Sequence, residues 1–319
     1  MPTELTGSPQ ALGLALPATD GERASVYPNA EKAAATRRAY RADFLIFRAW
    51  CDERRLDAFP ASPATVAAFL AHEANRKVKA STIGRRVAAI RYAHKLAGLA
   101  TPTDDERVKT TVRVIRRAVG TAKSKKAPAT TECLLAMAAN TGPGLKGLRD
   151  RALLLLGFAG AFRRSELVAL DVSDIEKTPD GIKVTIRHSK PYQEGAGQVI
   201  AISFGKVACP VAALKHWIAA AGIQSGAIFR NINRHGRIGG RLTDRSVPHI
   251  VKEHAARLGL DPDQFAGHSL RAGFLTSAAA RGASIFKMMD VSRHRSVHTL
   301  RGYVRDAELF KDHAGADLL

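Results

Sequence analysis

Residues 265–305 read FAGHSLRAGFLTSAAARGASIFKMMDVSRHRSVHTLRGYVR, and the remainder of the chain is organised around them. His268 and Arg271 are three apart, the spacing that sets two side chains on one face of a helix. At a helix start the unpaired backbone N–H groups already favour an anion. A second histidine, His294, follows 26 residues after His268, and Tyr303 comes nine residues after that. Two helices, about 269–281 and 284–291, carry the stretch.

Working upstream, the pattern is mixed. Ile182, Val184 and Ile186 alternate with polar residues after the turn Pro179-Asp180-Gly181, and the alternation resumes over Val199–Ser203. The two runs predict a hairpin whose long turn, His188 to Gln198, contains Lys190. Helices are predicted near 131–139, 146–158, 164–170, 210–221 and 244–258. Arg163 sits at the turn after the apolar run Ala152–Phe162, and Glu166 follows one helical turn later. Taken singly, each of these residues has an ordinary reading: a solvated loop lysine, an ion-paired surface arginine, a packing tyrosine.

The N-terminal part is helical throughout. Tyr40, Phe44 and Phe47 fall at i, i+4 and i+7 within an amphipathic helix over Glu31–Arg55. Ser62-Pro63 reads as a cap followed by proline in the first turn. Ser81 can cap a third helix that Gly98 stops. Thr103-Asp104-Asp105-Glu106 has the pattern of a capping box for a fourth helix, which runs to Gly120. The outer positions of these helices are rich in Arg and Lys, which suits a DNA-gripping surface. Thr121–Thr131 (TAKSKKAPATT) reads as an exposed basic linker, and the proline-rich residues 1–28 as a flexible arm.

The totals agree with that partner. The 319 residues carry a formal charge of +20 with a pI near 10.4. Residues 1–127 contribute +11 and residues 128–319 contribute +9, so both halves suit a polyanion. Cys51, Cys133 and Cys209 lie far apart, with no spacing that closes a zinc site, and buried thiols in a reducing compartment are expected. The longest apolar run is well short of a membrane helix, and no charged n-region precedes the apolar patch Ala11–Leu16. No metal, cofactor or membrane is expected, and the chain is expected in the cytoplasm.

The order of these residues is that of the tyrosine recombinases, which the sequence resembles from about residue 30 onward. RRSELVALD at 163–171 is similar to the family's first box and GHSLRAGFLTSAAARGAS at 267–284 to its second. The N-terminal helices resemble the core-binding domain of Cre and Xer type recombinases. The resemblance implies a mainly α chain with a small β-sheet: a flexible arm 1–28, an all-helical core-binding domain 29–120, a linker 121–130 and an α+β catalytic domain 131–319 with a C-terminal tail. It implies Arg163 and Arg271 on the scissile phosphate, Lys190 as general acid, His268 and His294 as supporting donors, Glu166 as a buttress and Tyr303 as nucleophile. The spacing to Glu-Leu selects Arg163 over Arg164. Arg293 stands where many members have glycine. The implied partners are double-stranded DNA with an inverted-repeat site and three further copies in a tetramer on two sites, in a bacterial cytoplasm or nucleoid.

The residue types suit that chemistry on their own terms. Attack on a phosphodiester builds charge on the non-bridging oxygens, and two guanidiniums can each donate a planar pair of hydrogen bonds to it. A phenol titrates near 10, so Tyr303 needs its proton removed or its anion stabilised, and His268 is a plausible base. The leaving 5′ oxygen needs a proton, which suits Lys190. A phosphotyrosine retains the energy of the broken bond, which fits the lack of a phosphate-binding glycine loop. Tyr192 is a rival nucleophile only outside the family. A non-catalytic DNA-binding protein and a type IB topoisomerase are the competing readings.

Overall fold

The computed structural model describes residues 34–120, 126–187 and 197–307, the last three by backbone alone. The proposed arm 1–28, Lys190, Tyr192 and the tail beyond residue 307 lie outside the described residues. The chain divides into two compact units, Met1–Lys123 and Ser124–Leu319.

The described residues of the first unit form four α-helices: α1 (Ala34–Asp52), α2 (Pro63–Asn75), α3 (Ala80–Leu96) and α4 (Glu106–Val119). Their apolar stripes meet in one core of Phe47, Trp50, Val66, Phe69, Leu70, Ile83, Ile90, Val108 and Ile115. Phe47 and Phe69 pack with ring centroids 5.0 Å apart. Each such side chain contributes about 1.5–3 kcal/mol on burial. The Ser62 hydroxyl accepts from the Thr65 N–H, with Pro63 in the first turn, as expected. Two predicted caps move. The third helix starts at Ala80, so Ser81 lies inside it, and the fourth is capped by Asp105, which accepts from the Arg107 N–H while Thr103 is buried in a preceding 3₁₀ turn.

Several cations of this unit are engaged within it. The Arg85 fork grips buried Asp43 at 2.6 and 3.1 Å. Arg86 pairs with buried Glu73, and Arg91 with Asp104. Arg107, Lys109, Arg116 and Arg117 on α4 are exposed. A basic composition therefore splits into internal struts and an outward face.

The second unit is α+β. Its helices are α5 (Thr131–Ala139), α6 (Leu145–Ala159), α7 (Arg164–Ala169), α8 (Pro210–Ala220), α9 (Ser246–Arg257), α10 (Ser269–Ala280), α11 (Ile285–Ser292) and α12 (Val297–Ala307). A three-stranded antiparallel sheet runs β1-β2-β3, with β1 Ile175–Thr178, β2 Gly181–Ile186 and β3 Gln198–Ser203. Ile182 faces Ile202 and Val184 faces Ile200 across the ladder, and all four are buried. A separate hairpin pairs β4 (Arg230–Ile232) with β5 (Ile238–Arg241). The predicted elements are all present; β1, the β4–β5 hairpin and α12 were not anticipated.

The apolar run Ala152–Phe162 is the buried half of α6 and the turn after it, which explains why it lacks a polar face: Leu153, Leu154 and Leu156 are fully buried. Trp217 of α8 is also buried and donates from Nε1 to the Ile228 carbonyl at 2.9 Å. Among the described residues no helix is long and apolar enough to cross a membrane. Cys51 is buried, which pushes its thiol up to about 11, whereas Cys133 and Cys209 are only half-buried.

The described end of the segment expected to be an exposed linker is instead part of the second unit. Ala127 and Ala129 donate backbone bonds to the carbonyls of Gln264 and Ser269, and Ala129 is fully buried. Gly273 permits this, because a Cβ there would overlap the Ala129 carbonyl. The last helices form a small cluster of their own, Leu275, Ala279, Met288 and Leu300, with Phe274, Tyr303 and Val304 against it. It sets α12 beside α10.

Candidate active site

The site is assembled from three turns. The first follows α6, where Ala161 takes a left-handed conformation (φ 43°) and turns the chain into α7. Such a conformation costs a residue with a Cβ roughly 1–2 kcal/mol. It aims the Ala161 carbonyl inward, where Arg271 Nη1 donates to it at 2.6 Å and Arg293 Nη2 at 3.0 Å. Arg163 then opens α7. Glu166 accepts from its backbone N–H at 2.9 Å and from its Nη1 at 2.5 Å.

The second turn starts α10. Arg271 lies in its first turn and is buried, whereas His268 caps the helix and is exposed. The expected shared face is therefore not used. Arg271 points to Ala161 and His294, while His268 lines a groove of about 460 Å³ with Tyr303, Ser269 and Thr299.

The third turn ends α11. Arg293 is left-handed (φ 59°) and buried, and His294 follows it. Arg271 Nη2 lies 3.2 and 3.3 Å from the two ring nitrogens of His294, and Ser292 Oγ lies 2.8 Å from Nδ1. Burial, then the charges of Arg271, Arg163 and Arg293, pull the imidazole down to about 4. A neutral ring satisfies both neighbours: one nitrogen accepts from Arg271 and the other donates to Ser292.

Electrostatically this is a cationic pocket held by one carboxylate. Burial opposes the Glu166 charge, but Arg293 and Arg163 outweigh it and hold the carboxyl below its usual range. Burial, then Arg163 and Arg293, lower Arg271 to about 9, so it stays protonated at neutral pH; Glu166 and Tyr303 act in the other direction. Tyr303 on α12 is therefore near enough to Arg271 for their charges to interact. Three arginines against one glutamate leave a surplus suited to an anion.

Of the residues singled out from sequence, Arg163, Glu166, Arg271 and His294 form one connected cluster. Tyr303 and His268 line the adjoining groove, and Lys190 lies outside the described residues. Arg164 is turned away onto Asp244, 3.1 Å from it. The sequence reading missed Ser292 and the two left-handed turns. In the sequence Arg293 stands out only for occupying a position where glycine is common in the family.

A model of the phage integrase family matches residues 128–309, and one of the phage integrase N-terminal SAM-like domain matches residues 28–98. The chain belongs to this family, the tyrosine recombinases, and is a site-specific DNA recombinase. It is similar to the integrase/recombinase xerD homolog of Selenomonas ruminantium, 41% identical over 290 residues that span 89% of this chain and 85% of that one. It is also similar to recombinase cre of Escherichia phage P1, 24% identical across 82% of this chain and 80% of that one. In fold it resembles a lambda integrase dimer bound to a COC′ core site, with a TM-score of 0.60 and 16% identity over 89% of this chain and 76% of that one.

Proposed function

We propose that this recombinase breaks and rejoins DNA strands through a covalent 3′-phosphotyrosine on Tyr303, with Holliday-junction exchange between two sites. The observation that carries the reading is the Arg163–Glu166–Arg271–His294 cluster beside the helix bearing Tyr303. The scissile phosphate is held by Arg163 and Arg271. Each guanidinium has five donors and uses only some on the protein acceptors described above. As Tyr303 Oη attacks phosphorus, the charge growing on the non-bridging oxygens meets donors already fixed in place, which need no reorganisation.

The phenol proton leaves to a base on the groove side, the role of His268, which lines the same groove as Tyr303. His294, neutral at physiological pH, becomes the supporting donor, rather than a cation, when its N–H turns from Ser292 to the phosphate. Lys190, between β2 and β3 in sequence, protonates the departing 5′ oxygen. Reversal of these steps by a 5′ hydroxyl rejoins the strand without added energy.

The first unit, with residues 29–120 as a core-binding domain, and the catalytic residues 131–319 both grip double-stranded DNA carrying an inverted-repeat site. The protein works in the bacterial cytoplasm as a tetramer on two such sites. The test is covalent trapping on a nicked duplex bearing the sequence that the wild-type protein retains from a randomised pool. Wild type should give an SDS-resistant adduct and Tyr303→Phe none. An equal adduct from Tyr303→Phe would remove the nucleophile assignment, and no adduct from either would leave only a DNA-binding protein.

A further inference from the structure

Arg293 holds a backbone conformation, φ 59° and ψ 41°, that glycine adopts without strain. A position needing only that turn would be better served by glycine, since a Cβ there costs roughly 1–2 kcal/mol. The arginine must return that cost through its side chain. Its guanidinium is buried, and a buried cation is unfavourable unless paired and hydrogen-bonded.

The pairing is extensive. Nη1 donates to the carbonyls of Gly160 at 2.9 Å and Val291 at 2.5 Å, and Nη2 donates to Ala161 at 3.0 Å and to Glu166 Oε2 at 2.8 Å. Its Cζ lies 5.3 Å from the Phe162 ring centroid. Only Nε lacks a partner among the described residues. Burial lowers its pKa, and the Glu166 charge opposes that shift.

These acceptors belong to the other members of the site. Ala161 is the carbonyl that also anchors Arg271. Glu166 is the carboxylate whose other oxygen holds Arg163. The Arg293 carbonyl itself accepts from Arg163 Nη2 at 3.5 Å, and His294 is the next residue. One buried side chain thus joins the turns that carry Arg163 and His294, and shares with Arg271 the Ala161 carbonyl.

We propose that Arg293 is a positioning residue for DNA cleavage: its guanidinium ties the Gly160–Ala161 turn and the Glu166 carboxylate to the His294 loop, fixing Arg163, Arg271 and His294 relative to one another without touching DNA. The inference rests on reading the cluster as the phosphate-binding centre. A displacement of about 1 Å in such a centre can cost about 100-fold in rate.

The test uses the full chain and the nicked duplex described above, with single-turnover adduct formation and duplex affinity measured separately. Arg293→Gly removes the guanidinium but suits the backbone. It should lose about 100-fold in cleavage rate while affinity stays at the wild-type value. If the position matters only as a turn, Arg293→Gly will cleave as fast as wild type or faster, which overturns the proposal. Parallel losses of rate and affinity overturn it too, since they would mark a DNA contact. Arg293→Lys, which keeps the charge but not the planar fork, is read in the same way if the glycine variant does not fold. A double-mutant cycle with Glu166→Gln separates positioning from general weakening: Arg293→Lys should cost much less when Glu166 is already neutral, whereas losses that simply multiply count against the proposal. An inactive wild type would defeat the catalytic reading itself, a different result from an active wild type with equally active Arg293 variants.

Discussion

Arg271 and His294 are in hydrogen-bond contact at 3.3 Å through Nε2, an arginine from the first turn of α10 against a histidine just past α11, and the contact requires an uncharged imidazole. With the folded value at about 4 and an ordinary imidazole near 6.5, the unfolded chain binds a proton that the folded chain refuses between those values. Stability therefore rises with pH across about 4 to 6.5 and is lost as pH falls through that interval, with no further contribution from His294 below it. Glu166, whose carboxyl is lowered, adds a loss in the same direction at more acid pH. Histidine-resolved NMR should find His294 neutral at pH 5.5; a charged ring there would contradict the contact geometry.

Glu166 is a single buried carboxylate between two guanidiniums, at 2.5 Å from Arg163 and 2.8 Å from Arg293. Glu166→Gln keeps the shape and removes the charge, leaving buried cations uncompensated. Breaking such a pair costs about 3–5 kcal/mol. Urea unfolding of the variant should show that loss, and a change within a few tenths of a kcal/mol would mean that the cations relax into solvent instead.

Gly273 is a packing requirement. In Gly273→Ala the new methyl meets the Ala129 carbonyl, so either α10 or the segment before α5 must shift. Overpacking of this kind costs about 1–3 kcal/mol. The expected signs are a lower Tm and faster proteolysis at residues 121–130; an unchanged Tm would show that this approach is looser than described.

The arginines of the first unit should sort into two kinds. Arg107, Arg116 and Arg117 are exposed on α4, and each one that neutralises a phosphate accounts for about −0.9 in the slope of log affinity against log salt. Their alanine variants should flatten that slope one step at a time. Arg85→Ala should instead destabilise the unit by about 1–3 kcal/mol, because buried Asp43 loses its bidentate partner. Filter binding over a salt series, beside denaturant melts, separates the two; a stability loss from Arg116→Ala or a slope change from Arg85→Ala would reverse the assignment.

What could be read from sequence follows from length and periodicity. Helices with long apolar stripes, such as α1 with Tyr40, Phe44 and Phe47, appear within a few residues of their predicted ends. The strands β1, β4 and β5 have only three or four residues, too few to establish an alternation. Helix α12 was missed although Val297, Leu300, Tyr303 and Val304 fall at i, i+3, i+6 and i+7, because Gly302 inside so short a run reads as a break. Capping residues shifted where several candidates lay side by side, as at Thr103–Asp105. The residue types of the site were legible from their order along the chain. The divergence of His268 from Arg271, and the role open to Arg293, depend on contacts between residues 110 and 127 positions apart and leave no local pattern.

The cluster under α12 gives the proposed nucleophile a mechanical independence from the proposed anion site. Tyr303 is held by Leu275, Ala279, Met288 and Leu300, a group separate from the main core that supports Arg163. Among the described residues, lifting α12 breaks that small cluster and leaves the main core intact, so it opens at lower free energy than the unit unfolds. On the proposed roles, the arginine cluster can thus stand ready while Tyr303 is withdrawn, and the timing of cleavage is then set by moving one helix.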